Sequence, residues 1–188
     1  FTDDNVSAKL DPLDLHAVIV PGGFGERGVE GKIAAVRYVR ERRIPFLGIC
    51  LGFQVAVIEF ARNVAGIADA HSMEFDTSTS DAVISELPEQ KAIEGLGGTM
   101  RLGGQDIQLD KGSMMGWLFQ SESVVRERFR HRYEVDPACI DRLTKAGLIF
   151  SGRHPKQPIM QALELPRSVH PYFVGGQFHP ELTSRPLH

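Results

Sequence analysis

Cysteine is scarce in this chain: only Cys50 and Cys139 occur among 188 residues. Two thiols cannot build a disulfide framework, so a reducing compartment is expected. Charge of one sign is missing as well. With 21 basic and 24 acidic residues the net charge is −3, which gives no global pull toward nucleic acid or a membrane surface. No apolar run approaches the roughly 20 residues of a membrane span, and the opening FTDDNVSAKLDP has no signal-peptide pattern. A cytoplasmic protein that binds neither membrane nor nucleic acid is expected. Repeats, low-complexity tracts and linkers are absent, so residues 1–188 are read as one domain. There is no initial Met and the first strand signal comes only at Ala17 to Val20, which suggests a piece truncated at its N-terminus.

The apolar residues that are present switch between two periods. AVIV reads as a buried strand running into the glycine-rich PGGFGERG, and Val29, Ile33, Val36 and Val39 then recur at helical spacing. Arg40, Arg42 and Arg43 close that helix, where cations complement the negative end of its dipole. A short strand from Pro45 to Ile49 and a densely apolar helix from about Leu51 to Val64 follow. This rhythm predicts an α/β fold with an open, mostly parallel sheet flanked by helices. Further on, DAVISEL reads as a strand and TMRLGGQDIQL as a hairpin turning at Gly103-Gly104. Asp110 to Trp117 reads as loop, and Asp136 to Ala146 as a helix opened by Asp136-Pro137 and closed by Gly147. GLIFSG, IMQALEL and YFVGGQF are three more strands.

Cys50 stands out because of where it sits, between strand and helix in Gly48-Ile49-Cys50-Leu51-Gly52. A nucleophile on so sharp a turn needs small neighbours, and G-x-C-x-G supplies them. The helix start should also favour thiolate over thiol, and its first N–H groups, Leu51 foremost, should serve an oxyanion. Cys139 in DPACIDRL reads instead as a small buried hydrophobe. A cysteine nucleophile needs a base and a group to orient it. His16, His71, His131, His154, His170 and His188 sit in turn-like or charged settings that suggest solvated surface. His179 differs: it ends a strand and opens HPEL, with Pro180 fixing the backbone before Glu181. The loop Pro21-Gly22-Gly23-Phe24-Gly25 lacks the lysine and spacing of a phosphate loop and better suits backbone N–H groups facing a carbonyl. In VRERFRHRYEV, Arg126, Arg128, Arg130 and Arg132 would share one face of a strand. Glu122, Glu127 and Glu134 dilute that patch, so an arginine clamp on a small carboxylate fits better than nucleic acid.

These segments, VPGGFGERGVEGK, GICLGFQVAVIEFARN, SMEFD, GGTMRLG, RHRYEV and QFHPEL followed by SRP, resemble the class I glutamine amidotransferase domain of the CTP synthase family. The resemblance implies a flavodoxin-like core and a glutaminase that splits glutamine into glutamate and ammonia through a cysteine thioester. Cys50 then matches the nucleophile, His179 the base and Glu181 its orienter, with the backbone of Gly23 and Leu51 as oxyanion hole. Gly22, Phe24, Gln54, Glu74, Arg132 and Tyr133 fall where the family holds glutamine, Glu74 on the α-ammonium and Arg132 on the α-carboxylate. No metal or cofactor is implied for this domain. ATP and Mg2+ belong to the family's synthetase domain, which aminates UTP to CTP in pyrimidine nucleotide biosynthesis, with GTP as activator and a tetramer as the full-length assembly. Asp136 stands where the family usually has asparagine. The alternatives are a catalytically silent allosteric module, the amidotransferase part of another enzyme such as GMP synthetase, and a cysteine hydrolase acting on peptides.

Overall fold

The computed structural model of the chain describes residues 5–87 and 100–185. A short helix α1 (Val6–Leu10) precedes β1 (Val18–Val20), α2 (Val29–Arg42), β2 (Phe46–Ile49) and α3 (Leu51–Asn63). Two small strands, β3 (His71–Ser72) and β4 (Ala82–Ser85), lead to the long β5 (Arg101–Leu109). Then come α4 (Met114–Leu118), β6 (Val124–His131), β7 (Glu134–Val135) and α5 (Pro137–Lys145). The chain ends with β8 (Ile149–Arg153), β9 (Met160–Glu164), β10 (Phe173–Gly176) and a 3-10 turn at Pro180–Leu182.

The main sheet has the order β1-β2-β10-β9-β8-β5-β6. Its first three strands are parallel, as the strand–helix–strand rhythm predicts, while β9, β8, β5 and β6 join by antiparallel pairing. The sheet is therefore mixed, and its parallel part is the part that carries Cys50. Short connections such as that between β8 and β9 permit only antiparallel neighbours, because a parallel return needs a crossover of a dozen or more residues. A smaller sheet, β3-β4-β7, lies beside it.

Alternation along the strands divides the core between the two faces. Phe173 and Leu163 point to the cluster built with α2, α3 and α5, whereas their neighbours Val174 and Ala162 join Ile107, Leu109, Phe129 and Phe178 on the other face. Helix α3 is buried from Leu51 through Ala61, which accounts for its apolar density. Within it lies Glu59, fully buried, whose carboxylate accepts three hydrogen bonds at 2.8–3.1 Å from Arg40 of α2. That pair ties the two helices together.

Three local expectations are corrected. Gly103-Gly104 does not turn the chain: β5 runs straight through and pairs with β6 from Arg101↔His131 to Gln108↔Val124. Gly103 adopts φ +79°, and a Cβ on Gly104 would lie 3.0 Å from Arg126 Nε. The glycines stand inside a continuous strand, Gly103 with its positive φ and Gly104 leaving room for a guanidinium, rather than making a turn. Part of Asp110 to Trp117 is the helix α4, held at its start by Ser113 Oγ, which accepts from Gly116 N at 2.9 Å, and by a distant residue. The Glu164 carboxylate of β9 accepts from Met114 N and Met115 N at 2.8 and 3.0 Å. Finally, His131 and His170 are buried, at 2 % and 1 % exposure, not solvated. His170 donates from Nε2 to Val39 O at 3.3 Å and accepts at Nδ1 from Tyr172 N at 3.2 Å, and burial lowers its pKa. His188 lies outside the described residues.

Removing Arg40 would leave the Glu59 carboxylate buried and unpaired. Arg40→Met is expected to cost about 3 kcal/mol, read as a lower urea midpoint at unchanged slope.

Candidate active site

Strand β2 delivers Cys50 to the end of the parallel strands, where Cys50 N donates to Gly176 O of β10 at 2.8 Å. The residue has φ +52° and ψ −100°, outside the helical and extended regions. Such a conformation costs a non-glycine residue about 1–3 kcal/mol and persists only when its surroundings enforce it. The flanking glycines are what allow it. A Cβ on Gly52 would sit 2.0 Å from Val20 O, and one on Gly48 would sit 2.6 Å from Gly52 O. The spacing G-x-C-x-G therefore reflects backbone contact on both sides of the turn.

His179 follows β10 and is anchored by its own N–H to Arg128 O at 2.8 Å. Its Nδ1 meets Glu181 Oε1 at 2.7 Å. This contact assigns the proton to Nδ1 and leaves Nε2, which is buried without a hydrogen bond, as an acceptor. Gly22 lies between the two functional groups: a Cβ there would stand 2.8 Å from His179 Cε1 and 3.5 Å from Cys50 Cβ. Gly23 packs its Cα side against Leu51, whose Cδ2 would be 3.3 Å from an added Cβ. The glycine loop thus borders the helix start that carries the nucleophile.

Cys50 is only 3 % exposed and opens onto a pocket of about 380 Å³. Gly23, Phe24, Cys50, Gln54, Glu74, Arg132 and Tyr133, all singled out in the sequence, line it together. Met100 and His131 line it too, with no place there in the sequence reading, and so does Arg130, one of the four arginines offered as a carboxylate clamp. Arg130 is legible only as one of four alternating arginines; its guanidinium carbon lies 5.6 Å from the Phe24 ring centre. The pocket is therefore lined by one acidic residue, Glu74, and two arginines, an arrangement suited to a zwitterion. Glu74 Oε1 meanwhile accepts from Gly25 N at 3.0 Å, pinning the glycine loop. Gln54 gives its side-chain nitrogen to Tyr133 O and Gln177 Oε1, so its oxygen is the atom left for a ligand.

Behind the pocket, Glu134 is fully buried and accepts from Arg101 Nε at 2.8 Å. His131 Nε2 lies 2.8 Å from the same carboxylate but is not aligned as a hydrogen bond. Asp136 caps α5 by accepting from Ala138 N at 2.9 Å and also accepts from Ser85 Oγ at 2.7 Å. Asn and Asp cap equally well, so the replacement of asparagine noted in the sequence keeps that role. Cys139, 8 % exposed and set against Asp136 O and Val83 O, is the buried structural thiol expected of it. Among the described residues no group of three or more His, Cys, Asp or Glu side chains is placed to hold a metal ion, and no helix is long and apolar enough to cross a membrane.

One electrostatic expectation is overturned. The helix start does draw the Cys50 thiol down through the Leu51 N–H, but the net effect is the reverse of that expected and the thiol is pushed up to about 12. Burial is the largest cause, outweighing the hydrogen bonds from the Leu51 backbone and Gln177, and the carboxylates of Glu74 and Glu181 add to it.

This layout, a nucleophile elbow facing a His–carboxylate pair across a glycine loop, is matched by kinship in sequence. The sequence model of the family Glutamine amidotransferase class-I matches residues 2–188, and the chain belongs to that family. Within it the chain is similar to CTP synthases. It is 56% identical over 173 residues to that of Methanopyrus kandleri, covering 92% of this chain and 32% of the relative. Identity to the CTP synthase of Thermus thermophilus is 51% over 188 residues, covering 96% and 34%. The chain thus spans about a third of the length of the curated relatives it matches. Among solved structures, the glutaminase domain of Trypanosoma brucei CTPS with bound acivicin superposes with a TM-score of 0.87 at 37% identity, covering 98% of this chain and 73% of that one. A glutamine amidotransferase from Thermotoga maritima shares the fold alone, at 19% identity and a TM-score of 0.53, covering 87% of this chain and 56% of that one.

A thiol held so high is expected to persist through neutral pH in the empty site. Alkylation of Cys50 by iodoacetamide should then rise about tenfold per unit between about pH 7 and 10 without levelling. A plateau near neutrality would mean that the thiolate is already formed.

Proposed function

We propose that this domain hydrolyses glutamine to glutamate and ammonia by way of a cysteine thioester. The observation that carries the reading is Cys50 on its strained elbow, facing a His179 whose Nδ1 is held by Glu181 at 2.7 Å, at the wall of a pocket lined by Glu74, Arg130 and Arg132. Glu74 receives the α-ammonium, sharing a carboxylate now bonded to Gly25 N, and Arg132 receives the α-carboxylate. Gly22, Phe24, Gln54 and Tyr133 complete the glutamine site.

In this reaction His179 Nε2 takes the thiol proton and the sulfur attacks the carboxamide carbon. The N–H groups of Leu51 and Gly23 receive the oxyanion. On collapse the C–N bond breaks, His179 returns its proton to the nitrogen, and ammonia leaves a γ-glutamyl thioester. Water then gives a proton to His179 and attacks the thioester carbon. The C–S bond breaks, the thiol regains its proton and glutamate departs.

By the same reading the ammonia serves a synthetase part of the longer, cytoplasmic enzyme, which aminates UTP to CTP with ATP and Mg2+. GTP activates the glutaminase step and the full-length assembly is a tetramer. The support for this wider role is the similarity to CTP synthases across the domain.

Glutamate release from glutamine, with and without GTP, tests the glutaminase step. Cys50→Ala is expected to abolish release, and Glu181→Gln to lower kcat by roughly 10²-fold or more. Arg132→Met should raise KM by about tenfold or more, with Arg130→Met raising it less. If glutamate is not released while a glutamine-like diazo-ketone labels Cys50, the domain is a formed but silent module and the reading fails.

A further inference from the structure

One polar side chain beside the nucleophile has no part in that scheme. Gln177 follows β10 and is fully buried, its backbone N–H donating to Gln161 O at 2.9 Å. Its Nε2 donates to Cys50 Sγ at 3.5 Å, an ordinary length for an acceptor as large as sulfur. The direction of this amide is fixed from behind. Gln177 Oε1 accepts from Gln54 Nε2 at 3.1 Å, and the same nitrogen of Gln54 donates to Tyr133 O at 2.9 Å. Turning the Gln177 amide over would set its oxygen against the sulfur and its NH2 against the NH2 of Gln54. The second contact, donor against donor, is not tolerable in a site where Gln54 is 3 % exposed.

The sulfur has a second polar neighbour with the opposite preference. As a thiol it donates to Arg130 O at 3.9 Å, a contact that a thiolate would lose. The charged groups around Cys50 are Glu74, from the segment between β3 and β4, Glu181, from the final turn, and the pocket-lining Arg130 and Arg132, with His179 as the base. Both carboxylates oppose a negative sulfur. A neutral donor is the kind of group that favours thiolate here without itself titrating, and apart from the Leu51 backbone Gln177 supplies it.

We propose that Gln177 is a catalytic residue whose side-chain N–H holds the Cys50 sulfur as thiolate, and that Gln54 is the positioning residue that aims it. The catalytic meaning of that thiolate rests on the glutaminase reading, which the proposal deepens. No proton passes through Gln177; the thiol proton still goes to His179 Nε2. The bond from Gln177 is among the causes that draw the thiol down against its burial.

The test compares the rate of Cys50 alkylation by iodoacetamide between about pH 7 and 10 in the unaltered protein, Gln177→Met, Gln177→Asn and Gln54→Met. Methionine keeps the volume and removes the donor, while asparagine keeps the polarity but draws the donor back by one methylene. Loss of a hydrogen bond to a charged sulfur should slow alkylation about tenfold at each pH in both Gln177 variants. Gln54→Met should slow it by less, because the Gln177 donor remains but is no longer aimed. A merely loosened pocket would expose the sulfur and speed the reaction instead. Rates equal to or above those of the unaltered protein in either Gln177 variant overturn the proposal. Iodoacetamide reads the sulfur without glutamine, so slowed alkylation in a protein that releases no glutamate would sink the glutaminase reading alone. Glutamate release with unslowed alkylation would sink this one alone.

Discussion

The first turn of α3 lies against the carbonyl end of β1, and the rest of the site depends on that contact. Only glycine at position 52 lets the helix begin there, since any side chain would strike Val20 O. With the helix so close, the residue that joins it to β2 has no regular conformation available, and Cys50 takes φ +52°. The sheet, held in register by β1 and β10 on either side of β2, enforces that strain. The sulfur is thereby presented at the edge where the glycine loop and His179 also arrive, because β1 and β10 flank β2 and end within one residue of each other in register. One backbone contact thus sets the position of three functional groups.

The same closeness explains why the thiol behaves contrary to a simple helix-end argument. The first turn does offer its N–H groups, and the Leu51 amide is felt by the sulfur. The approach that brings those groups near also removes water from around the sulfur. In a buried position the missing water weighs more than a fraction of a charge at a helix terminus. Two carboxylates within reach of the sulfur deepen the imbalance. The empty site therefore stores its nucleophile in neutral form, next to a histidine nitrogen with no other bond to make.

Much of this is legible in the sequence, for identifiable reasons. Val29, Ile33, Val36 and Val39 announce α2 because its buried face is set by spacing alone, and all four are buried. Cys50, His179 and Glu181 are legible because a strained turn needs glycines and a proline fixes the short step between histidine and carboxylate. What stays hidden depends on partners remote in the chain. Gly103-Gly104 looks locally like a hairpin turn, and only the partner strand with Arg126 reveals a continuous β5. His131 resembles a surface residue between two arginines, yet strand alternation turns it inward while Arg130 points out. Gln177 lies two residues before His179 in QFHPEL, so its nearness to the base is visible; its orientation toward the sulfur is set by Gln54, far away in sequence.

The start of α4 bears on the order in which the molecule assembles. A helix of five residues is too short to sustain itself in water. Its first free amides are satisfied by Glu164, 49 and 50 residues further along, so α4 has no stable existence before β9 is in place. Phe119, at the end of α4, meets Phe178 edge-on with ring centres 5.9 Å apart. Phe178 is the immediate neighbour of His179. The core beneath the histidine is therefore completed by an element that depends on the C-terminal strands, as the nucleophile's turn also does through the bond from Cys50 N to Gly176 O of β10. Both halves of the reactive pair thus rest on strands from the C-terminal part of the chain.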